Sequence, residues 1–195
     1  MKLEEKLLLE NRAWAKDKTL GDPDYFERLA RGQSPKILWI GCSDSRIPAE
    51  DITNSGPGDI FVHRNIANQV DLDDPNVSSV IEYAVTVLKV DHVIVCGHHE
   101  CGGMRAALSK TRLSGHLESW LAKIRAHSKK SVAELREIED EQAAANQLSE
   151  RNVVQQVRTL LEYDCVVRAK EERNLTVHGW MFNMSTGLLQ ELIKA

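Results

Sequence analysis

Two short apolar runs, each closed by a glycine, do most to restrict the fold of this chain. Lys36-Ile37-Leu38-Trp39-Ile40-Gly41 and Val90-Asp91-His92-Val93-Ile94-Val95-Cys96-Gly97 are shorter than a typical buried helix, and the second is β-branched at its centre. Such runs read as buried strands. Between them, Gly56-Pro57-Gly58-Asp59 forms a turn into a further strand at Ile60-Phe61-Val62. Asp74-Pro75 starts a helix, with Val77, Val80, Ile81, Ala84, Val87 and Leu88 at helical spacing. Gly102-Gly103 opens another that runs to about Leu108. Residues 116–173 are mostly helical, with a buried stripe of Val153, Val157, Leu160, Leu161, Asp164 and Cys165. Val132 to Asn146 reads as a solvated helix or a helix pair. Asn174 to Trp180 is a fourth strand, and Asn183 to Gly187 turns it into a fifth, edge strand over Leu188 to Ile193. Strands alternating with helices predict an α/β fold: a central, mostly parallel sheet of four strands plus an edge strand, flanked by helices.

An N-terminal helical arm precedes this core. Leu3, Leu7, Leu8, Asn11 and Trp14 share one face of a helix predicted over residues 3–17. Asp22-Pro23 reads as the start of a second helix, with Asp22 as N-cap and Pro23 in its first turn, ending near Ala30. No repeat or linker divides the rest, so a single domain over 1–195 is expected, with an arm at 1–34 and a core at 35–195.

Composition excludes several partners. Lysine and arginine number 25 against 29 acidic residues, a net charge of −4, so no broad nucleic-acid footprint is expected. No apolar run approaches the ~20 residues of a membrane span. The charged start Met1-Lys2-Leu3-Glu4-Glu5-Lys6 resembles neither a secretory signal nor a transit peptide, which points to the cytoplasm. In that setting four cysteines beside seven histidines read as metal ligands, nucleophiles or buried thiols rather than disulfides.

Cys42 and Cys101 each sit just past a predicted strand, where parallel sheets bind their ligands. His98-His99-Glu100-Cys101 places an imidazole and a thiolate three residues apart on a strand-to-helix turn. With Cys42 they make a set of two thiolates and one imidazole, which selects zinc over magnesium or calcium. Three protein ligands and an exchangeable fourth position mark catalytic zinc. Asp44, two residues after Cys42, is a candidate for that fourth position. It is equally placed to pair bidentately with Arg46. The two roles exclude each other, so the motif reads as a switch, closed with Asp44 on zinc and open with Asp44 on Arg46. On spacing alone, Cys42 and Cys101 also fit as buried thiols and Asp44–Arg46 as an ordinary salt bridge. Cys96 and Cys165 read as packing.

Gly-Cys-Ser-Asp-Ser-Arg at 41–46, His-Arg-Asn-Ile-Ala-Asn at 63–68 and Gly-His-x-x-Cys-Gly-Gly at 97–103 together resemble the β-class carbonic anhydrases. The likeness continues more loosely to Val177-His178-Gly179-Trp180. It implies one Zn(2+) per chain on Cys42, His98 and Cys101, with Asp44 and Arg46 as the catalytic dyad. It implies reversible hydration of carbon dioxide to bicarbonate by a zinc-bound hydroxide that Asp44 orients. Gln33, Phe61, Ile66, Tyr83 and Gly102 match the family's substrate pocket. A homodimer or tetramer is implied, because the neighbouring subunit lines part of that cleft. Trp39 and Arg64 match two residues of a regulatory bicarbonate pocket found in some bacterial members, but Phe182 stands where those have tyrosine. Weak bicarbonate regulation is therefore expected. Two alternatives remain at this point: a hydrolase of carbonyl sulfide or carbon disulfide, and a non-catalytic zinc module with Asp44 permanently on the metal.

Overall fold

A computed structural model describes residues 1–111 and 113–195, and the chain divides into two compact units, Met1–Ser34 and Pro35–Ala195. The first unit is a helix pair, α1 (Leu3–Gly21) and α2 (Tyr25–Ala30). Glu5 reaches back to the Lys2 N–H at 3.1 Å to cap α1. Trp14 packs edge-on against Phe26 at 5.5 Å and Tyr25 at 6.5 Å. The predicted apolar face of α1 remains uncovered: Leu3 is 71% and Leu7 60% exposed. The start of α2 corrects the sequence reading. Its N-cap is Asp24, not Asp22, and Pro23 lies in the preceding turn. The Asp22 carboxylate accepts from the Asp24 N–H and pairs with Arg28, in a turn that precedes the helix.

The second unit is built on a five-stranded sheet ordered β2-β1-β3-β4-β5. Its strands are β1 (Ile37–Cys42), β2 (Ile60–Asn65), β3 (His92–His98), β4 (Thr176–Asn183) and β5 (Leu188–Lys194). The first four are parallel and β5 is an antiparallel edge. The helices are α3 (Ala49–Thr53), α4 (Pro75–Glu82), α5 (Gly102–Leu108), α6 (Gly115–His127), α7 (Lys129–Leu135), α8 (Glu141–Leu160) and α9 (Asp164–Arg173). The expected α/β architecture is therefore present. Asp74 caps α4 as predicted, accepting from the Asn76 N–H at 2.9 Å. Alternation along the strands sends Leu38, Ile40, Val93 and Val95 into one core, and Trp39, Ile94 and Cys96 into the other.

Several local readings are corrected. β2 runs on past the predicted Ile60–Val62 to Asn65, which places His63 inside it, and β3 starts at His92 rather than Val90. Backbone pairing with a neighbour continues past the point where hydrophobicity stops. Val132–Asn146 is a helix pair rather than a solvated face, since Val132, Leu135, Ala144 and Ala145 are buried. The α8 stripe ends at Leu160; Asp164 is exposed at the start of α9. After α4 the chain makes one π turn, Tyr83–Val87, which no periodicity predicts. Arg173 holds it by donating to the Val85 carbonyl at 2.9 Å and to the Val90 carbonyl.

Helix α8 packs closely on the sheet because glycines clear its path. A Cβ at Gly179 would lie 2.7 Å from Ile193 Cγ2, 2.9 Å from Val153 Cγ1 and 3.0 Å from Val157 Cγ2. These are short branched side chains with nowhere to swing. Gly179→Ala is expected to destabilise the fold by about 1–3 kcal/mol, as overpacking does. A lower urea midpoint at unchanged slope would show it.

Candidate metal centre

From β1 the chain crosses to β2 on one side and then to β3 on the other, so strand order reverses between β1 and β3. A crevice at the carboxyl ends of such strands is where open α/β sheets bind ligands. Cys42 is the last residue of β1, His98 the last of β3, and Cys101 the N-cap of α5. The ligand atoms of these three buried residues lie within 4.8 Å of one another, and they are the one such group among the described residues.

The chemistry of this trio fits a metal. His98 is fully buried, and its Nδ1 donates to the His99 carbonyl at 2.8 Å. That bond assigns the proton to Nδ1 and leaves Nε2 as a lone pair. Nε2 is buried and has no hydrogen-bond partner. An orphaned imidazole nitrogen facing two sulfurs is costly without a cation. The two thiols titrate as a pair. A hydrogen bond from Cys101 draws Cys42 well below the usual thiol range, against the opposing effect of burial, with help from the backbone around Asp44 and Ala67. Cys101 is pushed up by that same bond and by burial. One thiolate thus forms readily, and ionising the second needs a further positive charge.

Asp44 lies beside this group, with Oδ2 3.9 Å from His98 Nε2. Both its oxygens are engaged by Arg46: Nε donates to Oδ1 at 2.9 Å and Nη2 to Oδ2 at 2.8 Å. The Arg46 backbone N–H adds a bond to Oδ1 at 3.0 Å. The Arg46 hydrogen bond holds the Asp44 carboxyl well below the usual carboxylate range, outweighing burial. Arg46 is itself steadied by the Glu100 carbonyl at 3.4 Å and the Glu100 carboxylate at 3.8 Å. Of the two arrangements expected for Asp44, the structure has the one on Arg46.

The remaining predicted positions divide. Phe61 and Tyr83 face each other with ring centroids 5.7 Å apart. Ile66 and Tyr83 are 42% and 44% exposed. Gly102 opens α5, and no atom lies within 4 Å of where its Cβ would be. Gln33 belongs to the first unit, where it is exposed. Trp39 is buried edge-on against Trp180 at 6.0 Å, and Phe182 is buried in the same core. Arg64 does not present a free guanidinium. Its Nε donates to the Cys42 carbonyl at 2.8 Å and its Nη2 to the Asp44 carbonyl. Cys96 is buried as expected, whereas Cys165 is only half-buried.

Sequence reading missed the residues that hold the ligand-bearing loops. In the turn after β3, Glu100 is left-handed at φ +59, and its N–H donates to Asn146 Oδ1 at 2.8 Å. His99 Nε2 meets Glu150 Oε1 at 3.0 Å. In the loop after β2, Ala67 and Asn68 are both left-handed, at φ +65 and +45. For Ala67 that conformation costs about 1–3 kcal/mol. Asn146, Glu150, Asn152 and Gln156 all come from α8. Polar residues recurring among Val153, Val157 and Leu160 on its inward side were the available signal.

The arrangement defines a parallel α/β protein with a Cys–His–Cys group able to hold a metal at the topological switch point. A carbonic anhydrase family model matches residues 37–189. A carbonic anhydrase of Emericella nidulans is 47% identical over 189 residues, covering 96% of this chain and 82% of the relative. One from Pseudomonas aeruginosa is 38% identical, covering 86% and 77%. Among solved structures, a tetrameric β-carbonic anhydrase of Sordaria macrospora superposes with a TM-score of 0.94 at 43% identity, covering 98% of both chains. The β-carbonic anhydrase CafA of Aspergillus fumigatus gives 0.92 at 40% identity, covering 98% of this chain and 91% of that one. This chain belongs to the β-carbonic anhydrase family and is an enzyme of the lyase class.

Proposed function

We propose that the chain catalyses the reversible hydration of carbon dioxide to bicarbonate and a proton, with one zinc ion per chain held by Cys42, His98 and Cys101. The observation that carries this is the buried, partnerless His98 Nε2 facing two thiols, with an ionised carboxylate beside it. Zinc in such a site acidifies a water, to a pKa of ~7 in the well-known carbonic anhydrase case with three histidine ligands. Asp44 acts as an acceptor in fixed position: Arg46 occupies its outer lone pairs and aims the carboxylate at the ligand group. It accepts a hydrogen bond from the attacking oxygen and so orients the lone pair that meets carbon dioxide. Phe61, Ile66 and Tyr83 supply apolar surface for a substrate without a dipole. Gly102 adds an open approach at the start of α5, and Gln33 joins the proposed pocket by its match to the family pattern. The two-point Arg46 pair favours this reading over a zinc module closed by Asp44, because that carboxylate is committed elsewhere.

Several finer readings accompany it. A homodimer or tetramer is supported by the exposed Leu3, Leu7, Ile66 and Tyr83, and by the tetrameric relative of Sordaria macrospora. Four unpaired cysteines suit a reducing, cytoplasmic setting. Among the described residues no helix is long and apolar enough to cross a membrane. With zinc held by Cys42, His98 and Cys101, scarce hydroxide at low pH would let Asp44 compete for the remaining ligand position and close the site. Bicarbonate does not assist that closure, because Arg64 is bound to two main-chain carbonyls and Phe182 has no hydroxyl.

Stopped-flow hydration from mildly acidic to alkaline pH, with and without added bicarbonate, tests the whole reading. The expected result is one zinc per chain, activity that falls steeply toward acid, and the same profile with bicarbonate. Faster turnover of carbonyl sulfide than of carbon dioxide would overturn the substrate. Strong bicarbonate inhibition would overturn the role given to Phe182.

A further inference from the structure

Two histidines and a glutamate meet at the other end of the sheet from the Cys–His–Cys group. His92 begins the strand that His98 ends. It is exposed, whereas His178 on β4 is buried. In register His92 stands beside Thr176 and Ile94 beside His178, so the two imidazoles are diagonal neighbours on one face. Their ring centroids are 5.3 Å apart with the planes tilted by 52°, and His92 Nδ1 lies 3.2 Å from His178 Nε2. Across the His178 ring, Nδ1 meets Glu191 Oε1 of β5 at 2.6 Å. Trp180 Nε1 donates to the same oxygen at 3.2 Å, and its ring packs edge-on against His178 at 5.9 Å.

These contacts fix where the protons sit. Hydrogen bonds from His178 and then from Trp180 hold the Glu191 carboxyl below its ordinary range, so it is ionised at neutral pH. A carboxylate only accepts, which puts the His178 proton on Nδ1 and leaves Nε2 as a lone pair. His92 gives its own Nδ1 proton to that lone pair. The 3.2 Å between the nitrogens is the long limit for an N–H donor. It also falls within the spacing of two ligands on one ion. Imidazole nitrogens each about 2.0–2.1 Å from a metal stand about 2.9–3.4 Å apart at square or tetrahedral angles. A carboxylate on the far ring N–H is the partner that metal-binding imidazoles usually have.

We propose that His92 Nδ1 and His178 Nε2 form a second metal site, for a divalent transition ion, with Glu191 holding His178 from behind and water in the remaining positions. The ion takes the place of the proton between the two nitrogens. That proton moves to His92 Nε2 on the same ring, so the pair keeps its proton count. Imidazole suits zinc, copper and nickel better than magnesium or calcium, and affinity in this series rises through nickel(II) to copper(II). Lys194 stands in register with His178, and the Glu191 charge offsets it. A bound ion ties β3 to β4 and, through Glu191, to the edge strand β5. The site shares no residue with the Cys–His–Cys group and does not depend on the reading of that group.

The test titrates full-length, zinc-loaded protein with nickel(II), which does not oxidise thiols. Calorimetry with elemental analysis should find one nickel per chain in addition to the zinc. His92→Ala, a change at an exposed position, is expected to lose that nickel while zinc content and hydration rate stay at the wild-type level. Glu191→Gln keeps an oxygen for His178 but removes the charge, and should weaken nickel binding about 10–100-fold. If Glu191→Gln fails to fold, His92→Ala decides. Nickel should also raise the melting temperature of the wild type and not that of His92→Ala. No nickel beyond the zinc, nickel gained only as zinc leaves, or equal uptake in His92→Ala would each overturn the site. Unchanged affinity in Glu191→Gln would overturn the part given to Glu191.

Discussion

Cys101→Ser is expected to empty the metal centre and reduce carbon dioxide hydration to the rate of buffer alone. Cys101 offers one of the three atoms proposed to hold the zinc, and it is buried at the N-cap of α5. A serine hydroxyl stays protonated at neutral pH and is a far poorer zinc ligand than a thiolate. The variant leaves His98 Nε2 and one sulfur, too few to hold the ion against buffer. Stability should report the loss independently of activity. A ligand that binds only the folded state stabilises it by about 4 kcal/mol when present at a thousand times its Kd. Added zinc should therefore raise the melting temperature of apo wild type and leave that of Cys101→Ser unmoved. Elemental analysis showing a full zinc complement in the variant would sink the assignment.

Asp44→Asn is expected to keep its zinc and lose about 10²–10⁴-fold in turnover, the usual worth of a positioned acid–base group. The change is nearly isosteric, so the fold and the three ligands are untouched. What is lost is the charge that binds Arg46 at two points and, on the proposed reading, the carboxylate acceptor for the reacting oxygen. The sign of the pH effect separates this role from simple titration. Arg46 depresses the Asp44 pKa, so the pair's contribution to stability is fully present above the unfolded value of about 3.9. It is lost as pH falls through the depressed folded value. Across the neutral range Asp44 stays ionised, and any rate change there comes from another group. Carboxyl NMR shifts through an acid titration check the first statement, and zinc content with stopped-flow rates checks the second. Full activity in Asp44→Asn would refute the dyad.

Both variants act on residues that a reading of the chain alone brought out, and the reason is local. Cys42, Asp44 and Arg46 occupy five consecutive positions, and His98 and Cys101 occupy four. A strand end and a helix start place such near neighbours in space almost automatically. The strand and helix alternation was legible on the same ground, since side-chain period reports which face is buried. The parallel sheet then brings β1 beside β3, which joins the two ligand strings.

Other features depend on partners far away in sequence. Whether Asp44 turns to Arg46 or toward the metal could not be read from its spacing, because both were allowed. In the structure Asp44 pairs with Arg46, and Arg64 and Glu100 hold the motif loop and the guanidinium. Helix α2 starts two residues later than the Asp22-Pro23 string suggests, after a turn in which Asp22 pairs with Arg28, six residues on. Asn152 and Gln156 look like ordinary helix residues until the fold sets them against Gln69 and Ala67, more than eighty positions away. Hydrophobic period and short ligand strings are properties of a stretch of chain, so the α/β class and the Cys–His–Cys set were already written in the order of residues. The partner of a polar side chain depends on which distant element arrives within about 3 Å of it. The orientation of Asp44 and the buried amide bonds to the Ala67 carbonyl therefore came into view only once the chain was folded.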